Sequence, residues 1–327
     1  ALRLVDADDP ALDAKLFQNL LTGDDATLKL EAVRTLQHSS KKFVAGLLTS
    51  VAVDEKAPVD LRAEAVTGLY GRWFDAPNSS EITQTLTRLV NAKQPPLQLE
   101  AIRSSRNLLV KTAKGRATRT ALLKSLQSAL DQDPQVLKRN GIHRQIAEQL
   151  ALAHSQAGIP LPEIVKPVQA DRPKTNADWY KQVVDAKGDH SAGRRIFFHA
   201  DSAGCYKCHT VNGRGGHVGP DLSSIGRALN RKRLIESILE PSKEIAPQFT
   251  NWTFVMNSGK IHHGMILGDT RDDIQQVGTP EGQVIKLKAS EIELRQPQKT
   301  SVMPEKLIDR MTVSEFRDLL AYLQSLK

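Results

Sequence analysis

The chain has 327 residues, 25% charged and 40% hydrophobic, with 45 Lys and Arg against 37 Asp and Glu for a net charge of +8. That length allows two domains of ordinary size, and the balance excludes a disordered or fibrous class. The longest apolar run, 43–53, is too short to span a membrane and is broken by Gly46, Thr49 and Ser50.

The chain begins at Ala1 rather than Met and shows no signal peptide, as expected of a processed chain or a piece of a longer one. The basic residues are spread along it without an aromatic–basic module, so nucleic acid is not an expected partner. Its two cysteines are too few for a disulfide framework.

The first half repeats itself. Leu28-Lys29-Leu30-Glu31-Ala32-Val33 recurs as Leu61-Arg62-Ala63-Glu64-Ala65-Val66 and as Leu97-Gln98-Leu99-Glu100-Ala101-Ile102. Each copy opens one helical pattern and is followed by a second, as over 43–53 and 82–90. Pro58, and Pro95 with Pro96, mark helix starts. A weaker fourth unit runs through Ile142, Ile146 and Leu150. Helix pairs at this period predict a HEAT-like α-solenoid over 1–158, a scaffold in which neighbours stack to bury their apolar faces. His38, His143 and His154 stand alone there and are expected to be surface or packed histidines. Residues 159–187 follow as a Pro-rich linker, with Pro160, Pro162, Pro167 and Pro173, and a connecting helix near Trp179 and Tyr180.

Cys205-Tyr206-Lys207-Cys208-His209 is a c-type haem attachment sequence. Two thiols add across the two vinyl groups of one porphyrin, and the next residue offers an imidazole to the iron. A zinc site would want further ligands, and no other cysteine exists. A redox Cys-x-x-Cys would want a βαβ context, which is not predicted here. Upstream, a short helix over 193–198 brings Phe197 and Phe198, free to pack on a macrocycle. Downstream come the glycine-rich 213–219 and Pro220-Asp221-Leu222. A ligating histidine needs an acceptor for its other ring nitrogen, and the Pro220 carbonyl is the candidate.

Residues 188–327 resemble the haem-binding domain of planctomycete-type cytochromes c, a variant of the class I cytochrome c fold. The resemblance is carried by Gly188-Asp189, Gly193, the Cys205–His209 motif, Asn212-Gly213-Arg214-Gly215-Gly216, Val218-Gly219-Pro220-Asp221-Leu222, Glu240-Pro241-Ser242, Ser301-Val302-Met303-Pro304 and Leu320-Ala321-Tyr322-Leu323. In that family such domains often follow helical repeats. The resemblance implies electron transfer by one covalent haem c, with His209 as proximal and Met303 as distal ligand.

The other methionines have competing roles. Met311 precedes a capping box, with Thr312 as N-cap, and is expected to staple onto Phe316. Met256 and Met265 fall in strands flanking a two-residue Ser258-Gly259 turn. In that register Trp252, Phe254, Met256, Ile261, His263 and Met265 share one face, which reads as core. Met303 sits in a loop before the terminal helix, where a thioether raises the reduction potential and closes the site. His217, His262 and His263 stay open as bis-histidine alternatives, as does an open sixth position.

The segment of about 249–295 reads as a β insertion of four or five short strands. A basic cluster, Arg227, Arg231, Lys232 and Arg233, could steer an acidic partner or simply be solvated. The expected whole is mainly α: a HEAT-like array, then a cytochrome c domain with a small antiparallel insertion. The expected role is that of an electron carrier rather than an enzyme. It would be periplasmic or otherwise exported, with a dehydrogenase as donor and a downstream acceptor. Two rivals remain: a haem enzyme or gas sensor with an open or displaceable distal site, and a scaffold with a structural haem.

Overall fold

Each copy of the repeat forms a helix in the structure, a computed structural model that describes residues 2–3, 5–72 and 79–327. The three copies lie in α2 (Ala26–Leu36), α4 (Val59–Thr67) and α6 (Pro95–Lys111). They follow α1 (Ala14–Thr22) and are interleaved with α3 (Val44–Val53), α5 (Ser79–Leu89) and α7 (Ala113–Gln132). Then comes α8 (Ile142–Ala157). The starts follow ordinary capping chemistry. The Asp25 carboxylate accepts the Thr27 and Leu28 N–H groups, and Pro95 and Pro96 occupy the first turn of α6, where no intrahelical donor is lost. Helix α2 packs on α4, α4 on α6 and α6 on α8, while α3 packs on α5 and α5 on α7. Leu36, Leu48, Val66, Leu86, Leu97 and Leu109 lie fully buried in the continuous core between them.

This first unit reaches Arg172 and takes in two further segments, His199–Ser202 and Thr312–Glu315. The stretch read as the start of a Pro-rich linker therefore belongs in part to it. A 3-10 turn, Glu163–Val165, leads into α9 (Lys166–Ala170), and Val165 and Val168 are buried in the same core. Two apolar residues three apart, on two short elements, are too few to register as a period.

The repeat's glutamates turn inward. Glu31 pairs with Arg34 at 3.1 Å, and Arg34 reaches Glu64 of the next copy at 3.4 Å. In the third copy Glu100 pairs with Arg103, whose Nε donates to Glu315 at 2.5 Å. Glu315 also accepts from Gln149 at 2.7 Å.

The second unit comprises Pro173–Phe198, Ala203–Met311 and Phe316–Lys327. It contains α10 (Asn176–Val183), α11 (His190–Phe198), α12 (Ile225–Ala228), α13 (Arg231–Leu239) and most of α14 (Val313–Ser325). The expected capping box opens α14: Glu315 N–H donates to Thr312 Oγ1 at 3.0 Å, and Thr312 N–H to Glu315 Oε2 at 2.8 Å. The Phe197 ring meets Tyr322 edge-on at 5.7 Å, and Trp179 meets Phe316 at 5.8 Å. A small hairpin pairs β1 (Thr210–Val211) with β2 (Arg214–Gly215). The insertion is a five-stranded antiparallel sheet of β3 (Asn251–Met256), β4 (Ile261–Ile266), β5 (Ile274–Gly278), β6 (Val284–Lys288) and β7 (Ile292–Pro297), in the order β6-β5-β4-β3-β7.

The β3–β4 register differs from the expected one. Val255 lies opposite Ile261 and Asn251 opposite Met265, so the loop holds three residues, Asn257, Ser258 and Gly259, rather than two. Gly259 takes the left-handed conformation, φ 80°, that such a loop requires. The slip of one residue splits the expected face. Phe254 and Met256 enter the core of the sheet with Val277 and Leu287. Ile261, His263 and Met265 lie on the other face, where Met265 packs with Val218 and Val302.

The chain is thus mainly helical with a small antiparallel sheet, and no helix among the described residues is long and apolar enough to cross a membrane.

Candidate functional site

The Cys205–His209 segment is a tight turn. Gly204, in the left-handed region at φ 63°, opens a 3-10 turn over Cys205–Lys207. The Cys208 and His209 N–H groups donate to the Cys205 carbonyl at 3.2 and 2.9 Å. The glycine-rich stretch then folds back over it: Gly216 N–H donates to the Tyr206 carbonyl and Gly219 N–H to the Cys208 carbonyl, both at 2.7 Å. These bonds wrap the motif in backbone and leave its side chains free to turn to the other side.

They turn into a cavity of about 1070 Å³, at the upper end of the roughly 300–1,000 Å³ common for ligand pockets. Cys205, Cys208, His209, Met303, Pro220 and Phe197 all line it. These six residues meet in one hollow, with two thiols, an imidazole and a thioether among the groups that line it. Leu234 and Ile238 of α13, Val218, Val302 and Phe249 supply apolar surface.

His209 is held by its outer nitrogen. Its Nδ1 lies 2.9 Å from the Pro220 carbonyl oxygen, which can only accept, so Nδ1 carries the proton and Nε2 keeps its lone pair. Gly219 permits this arrangement, because a Cβ there would lie 2.6 Å from Cε1 and 2.7 Å from Nδ1 of the ring. Burial pulls the His209 imidazole below its ordinary value, against an opposing pull from the Pro220 carbonyl. The ring is therefore neutral at pH 7, the form that binds metals.

Both thiols stay protonated at neutral pH. Burial pushes Cys205 up to about 12. Burial also raises Cys208, with Lys207 pulling down and Glu281 pushing up. A redox Cys-x-x-Cys pair shows the opposite shift, a thiol acidified into a thiolate. Among the described residues, no group of three or more His, Cys, Asp and Glu side chains is placed to hold a metal ion by itself.

The other expected contributors divide. Phe198 is not on the cavity wall; its ring packs against Phe197 at 4.9 Å and carries the Arg194 guanidinium at 4.5 Å. Met256 and Met311 are buried away from the cavity. None of His217, His262 and His263 lines it: His217 meets Thr210 Oγ1 at 3.1 Å and His263 meets Thr253 Oγ1 at 3.0 Å. In the basic cluster Arg231 is structural, donating to the Val183 and Ala186 carbonyls at 3.0 and 2.7 Å. Arg233 pairs with Glu236 and Glu244. Sequence reasoning missed Met265, which joins the cavity wall through the shifted register, and it gave no role to Glu240-Pro241-Ser242, whose Glu240 and Pro241 also line the cavity.

Compared with known proteins, the chain matches no protein-family model and no curated protein.

Proposed function

We infer that the chain is an electron-transfer c-type cytochrome: a HEAT-like helical array followed by a class I cytochrome c domain of planctomycete type, carrying a small β insertion. The observation that supports this most directly is the meeting of Cys205, Cys208, His209 and Met303 on the wall of one cavity, with the Pro220 carbonyl on His209 Nδ1.

In this reading Cys205 and Cys208 hold haem c through thioethers, and His209 and Met303 ligate it. When bound, it supplies one-electron exchange between Fe(II) and Fe(III). The protein's own part is positional. The Pro220 carbonyl fixes the tautomer that leaves Nε2 available. Phe197, Leu234, Ile238 and Val302 would exclude water from the group, and Met303 would hold it as a thioether ligand that outside ligands must displace. On this reading the role is a carrier's rather than an enzyme's. Covalent attachment of this kind places the protein in the periplasm or another exported compartment. A dehydrogenase is the donor class and a downstream redox protein the acceptor.

The test is optical. The chain is produced with a c-type maturation system, reduced, and its spectrum recorded before and after carbon monoxide. A low-spin ferrous spectrum unmoved by the gas supports the carrier. A rapid shift to a carbonyl complex assigns an open sixth position, and with it a sensor or enzyme.

A further inference from the structure

The loop that presents Met303 has almost no scaffold of its own. No backbone–backbone hydrogen bond among the described residues involves 299–305. Pro304 has no N–H to give, and the non-glycine Lys306 just beyond sits at φ 60°. Such a loop must be held by side chains.

Ser242 holds it. Its Oγ accepts the Ser301 N–H at 3.1 Å and donates to Glu305 Oε1 at 3.4 Å, so one hydroxyl ties both ends of the loop. Ser301 passes the constraint inward, its own Oγ accepting the Met303 N–H at 3.0 Å. Between them Val302 is buried beside Met265 and Val218. Ser242 lies just past α13, whose Leu234 and Ile238 line the cavity, so the hydroxyl ties the end of that helix to the loop.

We propose that Ser242 is the positioning residue for Met303, setting through Ser301 how firmly the sixth position is closed. The proposal rests on Met303 being the distal ligand. It accounts for Glu240-Pro241-Ser242, because Pro241, buried after the end of α13, sets the backbone that aims the next hydroxyl at the loop. Removing the hydroxyl leaves Met303 in place but frees its loop. Direct hydrogen-bond partners of metal ligands typically change metal affinity or activity by about 10–100-fold, and Ser242 acts one step further out, through Ser301.

The experiment compares the haem-loaded wild type with Ser242→Ala, Ser242→Thr, Ser301→Ala and Met303→Ala. It reads carbon monoxide association to the ferrous form, the near-infrared methionine–Fe(III) band, and amide exchange at Met303. Ser242→Ala is expected to speed association by up to about tenfold, weaken the band and deprotect the Met303 amide. Ser301→Ala should do the same, and Ser242→Thr should restore wild-type behaviour. Met303→Ala should be fastest of all. If Met303→Ala opens the iron while Ser242→Ala and Ser301→Ala match wild type in rate and exchange, the proposal is wrong and the ligand assignment stands. If Met303→Ala leaves spectrum and rate unchanged, the ligand assignment fails and takes the proposal with it. Circular dichroism of each variant separates these effects from misfolding.

Discussion

The first unit buries Glu100, Arg103, Arg106 and Glu315 inside it, whereas the cavity of the second is walled by thiol, thioether, imidazole and apolar groups together with charged side chains that reach solvent, Arg233, Lys243 and Glu244 exposed and Glu236 and Glu240 half-buried. Each arrangement suits a different purpose. Buried charges must be satisfied in one geometry, so a network such as Glu100–Arg103–Glu315 penalises any other packing of its helices, whatever its net effect on stability. Neutral and soft groups around a hollow have no such demands on each other. Their lone pairs stay available to something that enters. One region specifies its own shape; the other leaves a hollow that the proposed haem would fill.

That contrast can be broken by mutation. The largest effect is expected from Arg103→Leu, which leaves Glu100 and Glu315 buried without their main partner. It should cost about 3–5 kcal/mol in urea unfolding followed by circular dichroism. Replacing Glu100, Arg103 and Glu315 together by apolar residues of similar volume should recover only part of that loss, because the Thr312 N–H and Gln149 lose Glu315 as their acceptor. A triple variant no more stable than the single one would mean that the charges are needed for more than their mutual pairing.

Next is Gly219→Ala. The added methyl would lie 2.6 Å from the His209 ring, with the Pro220 hydrogen bond holding the ring in place. The imidazole must move, so the haem-loaded variant should lose its low-spin spectrum while its far-ultraviolet circular dichroism stays that of the wild type. An unchanged spectrum would remove His209 from the role assigned to it.

Acid should act on the first unit. Burial raises Glu315, but Arg106 and Arg103, with the Thr312 N–H and Gln149, outweigh it and hold the carboxyl at about 2, against an ordinary 4.5. A depressed carboxyl stabilises the fold above its unfolded value. That contribution is full above about pH 4.5 and is lost as pH falls toward 2. Glu315→Gln should flatten the stability profile across that window, measured by denaturant midpoints at each pH. The smallest effect is expected from Lys243→Ala at the cavity rim. Its pairs with Glu236 and Glu240 are solvated, so the midpoint should not move measurably.

The parts legible in the sequence were those encoded by neighbours along the chain. Cys205, Cys208 and His209 sit within five consecutive residues, the repeats announce their helices, and the box of Thr312 and Glu315 spans one turn. The β3–β4 register was not legible for a specific reason. Trp252, Phe254 and Met256 form one apolar row, and Val255, Ile261 and Met265 supply another, so neither face of the hairpin reads as polar. With no polar face to forbid it, a one-residue slip costs nothing in pattern. Met265 was assigned to core for that reason, while in the structure it lies on the cavity wall. The pairing of Arg34 with Glu64, and of Ser242 with Ser301, joins residues 30 and 59 positions apart. Local composition holds no trace of such a partner.

The central claim is that the hollow beside Cys205 and Cys208 takes a covalent haem. The most direct measurement is the intact mass of the chain, produced with a c-type maturation system and denatured before mass spectrometry, beside that of Cys205→Ser/Cys208→Ser. The account predicts a wild-type mass greater by one haem that survives denaturation, and a double variant at the mass of the bare chain. A wild type at the mass of the bare chain, with visible absorbance absent or lost on denaturation, would contradict it.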